Sequence, residues 1–253
     1  MSGIDLVLTD IDGTLVDLNA HTPTAAVVQA MRDVQAAGVA VAAVTARPHE
    51  MSRDLFTELG FKGMSVFDGG ASIRDVETGD LLWQNWLSVE RLQMITRIML
   101  PHATEIDFYP TYNIVPAKDA RVDHIVEPAP YVWGFVDLAM LDNILTQLHE
   151  LPGLNIQTHL PRPDRPDVLD LQITDSKSDK FHAVNALREL AHTPLERTLA
   201  IGDSGNDLPL FRAAGLKVAM GNAIPELKVL ADYTVASVAD DGFAEAMRRF
   251  VLS

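Results

Sequence analysis

The chain has 253 residues, with 20 Lys and Arg against 35 Asp and Glu, for a formal net charge of −15. That length makes one large domain or two modest ones, and 47% apolar with 22% charged residues is the composition of a folded globular protein. The absence of cysteine excludes a disulfide framework, thiolate metal ligation and thiol catalysis, while the acidic balance points away from nucleic acid and anionic membranes.

Ile4–Thr9 predicts a short buried strand that ends in an acidic turn. Thr24 to Ala37 predicts a helix stopped by Gly38. Val39–Val44 is an apolar run too short for a helix and predicts a second strand. Pro48 to Leu59 predicts a helix with Pro at its start and Gly60 at its end, and Met64–Phe67 a third strand. Repeated strand and helix, with wholly apolar strands, imply a parallel sheet covered by helices on both faces.

The pattern changes near residue 71. Ala71–Asp75 and Leu81–Asn85 flank Glu77-Thr78-Gly79-Asp80 and predict a hairpin. Ser88 to Leu100 predicts a helix with Ser88 as N-cap. Glu105–Tyr109 and Asn113–Val115 predict strands, Leu138 to Leu151 a helix, and Leu154–Leu160 and Val168–Thr174 strands on either side of a Pro-rich turn. A helix followed by strands thus occurs twice, offset by about 50 residues, as a weak internal duplication. After residue 177 the alternation resumes. Asp179–Ala191, Asp207–Ala214, Ile224–Leu230 and Asp241–Leu252 predict helices; Thr198–Ile201, Lys217–Met220 and Tyr233–Val235 predict strands. The expected fold is α/β: a Rossmann-like parallel sheet core with helices on both faces, formed by residues 1–86 and 168–253. Residues 87–167 are expected to form an inserted α+β domain. No stretch reaches the roughly 18 apolar residues of a membrane span. Asp5 and Asp10 come too early for a signal peptide, so the expected location is cytoplasmic.

The strongest chemical signal is Asp10-Ile11-Asp12-Gly13-Thr14-Leu15, directly after a buried strand. Ligands of open α/β sheets bind beyond the carboxyl ends of the strands. Acids at i and i+2 of an extended segment point the same way, and both ionise cheaply only with a cation or donors between them. Asp-x-Asp-Gly also opens calcium loops, but Leu15 and Val16 break that pattern. The second signal, Gly202-Asp203-Ser204-Gly205-Asn206-Asp207, follows the strand Thr198–Ile201 and opens a helix. Asp207 by itself could serve as a simple N-cap, whereas Asp203 precedes a Gly-containing turn that such a role does not explain. Thr45-Ala46-Arg47 ends the second strand, where a hydroxyl and backbone N–H groups suit a phosphate oxygen, although a helix cap explains Thr45 as well. Lys180 starts a helix, where a cation opposes the dipole and suggests a nearby anion; Lys177 is the competing candidate.

Together these segments resemble the haloacid-dehalogenase-like phosphohydrolases, in particular their Cof-type branch. The resemblance spans Ile4 to about Phe250 and includes four motifs in order: Asp10-x-Asp12-Gly-Thr, Thr45, Lys180, and Gly202-Asp203-x-x-Asn206-Asp207. Met220-Gly221-Asn222-Ala223, Lys228-x-x-Ala231-Asp232 and Asp241-Gly242 also resemble that branch, which places an αββ cap where this chain has its insert. Two departures stand out. Phe67-Asp68-Gly69-Gly70-Ala71 replaces the usual Asn-Gly-Ala, and Lys180 lies between Asp179 and Phe181 rather than Ser and Gly.

The resemblance implies a magnesium-dependent phosphatase acting on a small phosphorylated metabolite, a sugar phosphate or related ester. Asp10 would be the nucleophile that forms an aspartyl-phosphate, and Asp12 the acid and base. Magnesium would bridge Asp10, the Asp12 backbone carbonyl and Asp203. Thr45, Ala46, Lys180 and Asn206 would hold the phosphoryl oxygens, with Asp207 orienting Lys180 or a metal-bound water. The rival readings are a sugar phosphomutase on the same scaffold and a non-catalytic phosphometabolite-binding protein. Dispersed Arg121, Arg162 and Arg165 give no second phosphate grip for a mutase. No nucleic-acid or membrane partner is expected, and the protein is expected to be a monomer or small homo-oligomer. Arg47 and Asn222 lie near motif ends, within reach of the site, and read first as ion-pairing or capping residues. His21, His49 and His102 lack metal-ligand spacing. Trp83, Trp86 and Trp133 read as packing. Tyr109, Tyr112, Asn113, Arg121 and His124 are the pool from which the insert would face substrate.

Overall fold

β1 (Leu6–Thr9) has no exposed residue, as a strand covered on both faces requires. The computed structural model to which it belongs describes residues 3–17, 22–108, 115–158 and 165–253. The chain divides into two units, Met1–Trp83 with Asp179–Ser253, and Gln84–Ser178. In the first unit α1 (Ala25–Ala36) follows Thr24, whose hydroxyl accepts from the Val27 N–H at 3.2 Å. β2 (Ala40–Ala43) and α2 (His49–Leu59) come next, and α2 stops at Gly60 with φ +70°. β3 (Met64–Phe67), β4 (Ser72–Asp75) and β5 (Leu81–Gln84) form a three-stranded sheet. The sequence suggests Met64–Phe67 as a third parallel strand. It pairs antiparallel with β4 instead and joins β2's extension by one parallel bridge, Val44 to Val66.

The second unit contains α3 (Val89–Met99), β6 (Ala103–Phe108), β7 (Val115–Pro116), β8 (Tyr131–Asp137), α4 (Leu141–His149), β9 (Leu154–Thr158) and β10 (Val168–Asp175). Its antiparallel sheet runs β7-β6-β8-β10-β9. Ile106, Val132, Val136, Leu171 and Ile173 share a buried cluster with Leu92, Ile95 and Met99 of α3 and Ile144 and Leu148 of α4. Side chains alternate along strands, so Asp107, Trp133 and Gln172, which are register partners, lie on the other face. β8 is the central strand and the one that sequence reading does not find. Gly134 weakens its strand signature, yet a Cβ there would lie 2.7 Å from the Glu105 carbonyl oxygen.

The insert is longer than 87–167. β10 pairs with β8 and β9, so residues 168–178 belong to the second unit, and the earlier boundary falls after Trp83 rather than 86. The two chain ends of this unit are clasped together. Asn85 Nδ2 donates to Asp175 Oδ1 at 3.1 Å and Ser178 Oγ at 3.2 Å, and Ser178 Oγ donates to the Asn85 carbonyl at 2.5 Å. Arg121 spends Nη1 on the backbone oxygens of Lys118 and Ala120. His21, Tyr109, Tyr112, Asn113 and Arg162 lie outside the described residues.

The chain re-enters the first unit with α5 (Lys180–Leu190), β11 (Thr198–Gly202), α6 (Leu208–Arg212), β12 (Leu216–Ala219), α7 (Pro225–Leu230), β13 (Tyr233–Thr234) and α8 (Gly242–Phe250). The parallel sheet has the order β13-β12-β11-β1-β2. Leu6 sits level with Ala40 and Thr198, and Thr9 with Ala43 and Ile201. Three strands therefore end together, which brings their following loops to one edge of the sheet. No helix among the described residues is long and apolar enough to cross a membrane.

Candidate active site

The loop after β1 is tied down first by its backbone: the Asp10 N–H donates to the Ile201 carbonyl at 3.1 Å. Asp10 itself is buried, at 5% exposure. Lys180, the first residue of α5, is buried too and reaches across 170 positions of sequence. Its Nζ donates to Asp10 Oδ1 at 2.7 Å, Asp207 Oδ1 at 2.6 Å and Asn206 Oδ1 at 3.4 Å. Burial opposes the ammonium charge, but Asp10 and Asp207 outweigh it and hold Lys180 protonated well above the usual lysine range. Lys180, rather than Lys177, is thus the lysine that meets the Asp10-x-Asp12 motif.

Asp207 is fully buried, and both of its oxygens are engaged. Oδ1 binds Lys180; Oδ2 accepts from the Asp203 and Ser204 N–H groups at 3.0 Å each and from Ser204 Oγ at 3.2 Å. A Cβ at Gly202 would come within 2.6 Å of this carboxylate, so the motif's first residue leaves room for its last. Asp203 accepts from Thr14 Oγ1 at 3.4 Å and Asn222 Nδ2 at 3.2 Å. Gly13 has φ +84°, and a Cβ there would lie 2.2 Å from Asp203 Oδ2. Glycine is needed at this position for both the backbone conformation and the approach.

Carboxylate oxygens of Asp10, Asp203 and Asp207 lie within 4.8 Å of one another. Burial raises Asp10 far above the normal carboxylate range, with Asp207 and Asp203 adding to it against Lys180. Burial, then Asp207, pushes Asp203 up to about 6. Crowded carboxylate oxygens, with no histidine or thiolate beside them among the described residues, fit a hard divalent cation, which would relieve that cost. Asp10 and Asp203 are the better ligands of the three, because Asp207 is saturated by Lys180 and backbone donors.

Asp12 is held by Arg47. Nε donates to Asp12 Oδ2 at 2.8 Å and Nη2 to Asp12 Oδ1 at 2.5 Å. Thr45 is buried, its Oγ1 accepts from the Arg47 N–H at 3.0 Å, and Ala46 stands exposed between them. Asn206 is exposed, and its Oδ1 also accepts from Ser204 Oγ at 2.5 Å. Asp68, the departure from the usual Asn, is buried with φ +56° and accepts from Ser72 Oγ at 2.5 Å. Its N–H donates to the Arg47 carbonyl at 3.2 Å and Gly69's to that of Thr45 at 3.1 Å, so this turn supports the Thr45–Arg47 loop from behind.

Arg47 and Asn222 are the residues whose place at the site exceeds their sequence reading. Asn222 Nδ2 also donates to the Gly13 carbonyl at 2.8 Å, while its Oδ1 accepts from the Val238 N–H at 2.9 Å. The available signal was position: each follows a strand end by a few residues, as the motif acids do. His49 is a core residue, edge-on to Phe67 at 5.2 Å. Among the described residues no histidine joins a cluster of metal-ligand type.

The sequence matches the haloacid dehalogenase-like hydrolases over residues 7–137 and 135–247. The chain belongs to that family. Among other haloacid dehalogenase-like hydrolases, a solved structure from Bacteroides thetaiotaomicron superposes with a TM-score of 0.81 at 25% identity, covering 97% of this chain and 99% of the other. Phosphoglycolate phosphatase of Metallosphaera sedula is 28% identical over 250 residues, 96% of each chain. 5-Amino-6-(5-phospho-D-ribitylamino)uracil phosphatase of Bacillus subtilis is 27% identical, over 98% of this chain and 96% of its own. A sugar phosphatase of HAD subclass IIB shares the fold, with a TM-score of 0.75 at 20% identity.

Proposed function

We propose that this phosphatase is magnesium-dependent and hydrolyses a small phosphorylated metabolite, a sugar phosphate or related ester, through an aspartyl-phosphate on Asp10. The observation that carries the reading is Lys180, a buried cation joined to Asp10 and Asp207 beside the carboxylate of Asp203. Magnesium would be held by Asp10, Asp203 and the Asp12 backbone carbonyl, and would supply positive charge to the phosphoryl oxygens.

The chain's own groups account for the rest. Asp10 attacks phosphorus in line, and Lys180 stays on the same carboxylate's other oxygen or on the phosphoryl group as charge moves. Thr45 Oγ, the Ala46 N–H and Asn206 Nδ2 hold the phosphoryl oxygens. Asp12 gives a proton to the leaving oxygen and later takes one from the attacking water. Asp207 keeps Lys180 in place by the 2.6 Å contact. The substrate class is supported by two relatives whose names describe phosphate monoesters of small metabolites.

The test is a panel of phosphorylated metabolites turned over in ¹⁸O-labelled water. Each phosphate released carries one solvent oxygen, EDTA stops the reaction, and Asp10→Asn lowers it by about a thousandfold or more while circular dichroism is unchanged. Phosphoryl transfer to another hydroxyl of the sugar without free phosphate would replace this reading with a mutase.

A further inference from the structure

The fork between Arg47 and Asp12 occupies both oxygens of the group that the proposed reaction needs as acid and base. A bidentate guanidinium fixes the orientation of a carboxylate as well as its charge. Arg47 is in turn fixed at its root, through its N–H on Thr45 Oγ1 and its carbonyl under the Asp68 N–H. The pair is not sealed away: the two side chains are 24% and 33% exposed, unlike the buried Lys180 and Asp10. A ligand at the strand ends can reach it.

Arginine has only donors. A carboxyl oxygen that carries a proton and aims it at a leaving oxygen has no use for an N–H donor on the same site. The two-armed grip therefore favours the ionised carboxylate and works against proton donation. We propose that Arg47 is a positioning residue for Asp12, one arm of its two-armed grip giving way to an oxygen of the bound phosphate ester. Asp12 is left with one oxygen steadied and one turned to the leaving group. In the step that follows, an Asp10 oxygen bonds to phosphorus as the ester P–O bond breaks; the electron pair of that bond stays on the leaving oxygen, which takes the proton that the freed Asp12 oxygen has drawn from solvent. The carboxylate so formed is again a partner for both arms. This inference rests on the phosphatase reading with Asp12 as acid.

Leaving-group dependence tests it. An aryl phosphate such as 4-nitrophenyl phosphate departs without a proton, whereas an alkyl or sugar phosphate needs one. The kinetic parameter kcat/KM covers everything up to that departure. Arg47→Ala lowers the ratio of kcat/KM for the alkyl ester to that for the aryl ester by about tenfold or more. Arg47→Lys fails to restore the ratio, because an ammonium lacks the rigid fork that holds one Asp12 oxygen and a phosphate oxygen at once. In an Asp12→Asn background, Arg47→Ala leaves the ratio where Asp12→Asn alone put it. Equal losses on both esters, a raised KM at constant kcat, or full rescue by Lys would each overturn the proposal. Arg47→Gln, nearly isosteric, replaces Arg47→Ala if the latter unfolds. Wild-type protein that releases phosphate from neither ester would sink the phosphatase reading itself, a result visible before any variant is compared.

Discussion

Both units bury an acid on a strand or at its end, and they resolve the cost in opposite ways. In the parallel-sheet unit Asp10 and Asp207 share the ammonium of Lys180 at 2.7 and 2.6 Å. In the antiparallel unit Asp107 is 4% exposed, its Oδ1 has no hydrogen-bond partner, and burial pushes its carboxyl up to about 6. A buried carboxylate needs a cation or a proton. The first unit supplies the cation from a distant part of the chain, and the second leaves the acid near the pH at which it takes up a proton.

Removing the cation gives the largest expected effect. Lys180→Met leaves two buried carboxylates facing each other, and breaking a buried pair this way costs about 3–5 kcal/mol. Urea denaturation should show that loss, and Asp10→Asn in the same background should recover part of it. If Lys180→Met is as stable as wild type, the triad does not hold the unit together.

Asp107 gives a smaller effect with a defined sign. Its folded pKa of about 6 lies above the ordinary 3.8. Below the ordinary value both folded and unfolded chains carry the proton, so the favourable contribution is complete there. It is lost as pH rises through the folded value, because the folded chain must then ionise a buried group. Asp107→Asn should therefore narrow the stability difference between pH 5 and pH 8 by about 1–3 kcal/mol in urea denaturation. An unchanged difference would show that the carboxyl is solvated.

The smallest effects compare helix starts in the two units. Thr24 caps α1 and its hydroxyl also donates to Asp241 Oδ1 at 2.5 Å, whereas Ser88 caps α3 by one contact, from the Arg91 N–H at 3.3 Å. Thr24→Ala should cost about 1–2 kcal/mol and Ser88→Ala about 0.5–1 kcal/mol. Thermal denaturation of the two variants should rank them in that order.

The first unit was legible because β1, β2 and β11 are short and nearly all apolar, and Asp10 and Asp203 directly follow two of them. Asp10 and Asp203 were marked by that position; Asp207 also read as an N-cap and Lys180 competed with Lys177, and only the four motifs taken together singled them out. The second unit hid β8, since Gly134 and the prolines before it read as loop, and only the approach of Glu105's backbone explains the glycine. It also hid β10's allegiance, which strand pairing decides and composition does not. Arg47 and Asn222 looked ordinary because their partners lie 35 positions away at Asp12 and 209 away at Gly13. No local pattern encodes contacts of that reach.

The register of β1 has a consequence for synthesis on the ribosome. Its partner on one side, β2, is made about 35 residues later, at the usual spacing of a βαβ unit. Its partner on the other side begins only at Thr198. By then every strand of the intervening antiparallel sheet has been made, and Asn85, Asp175 and Ser178 can draw its two ends together. The chain between β2 and β11 is thereby shortened, in effect, from a long loop to a clasped one, which lowers the entropy of closing it. The nascent enzyme has Asp10 from the start but no Lys180 or Asp203 beside it until this late closure. The three residues therefore come together only when the last third of the chain has been made.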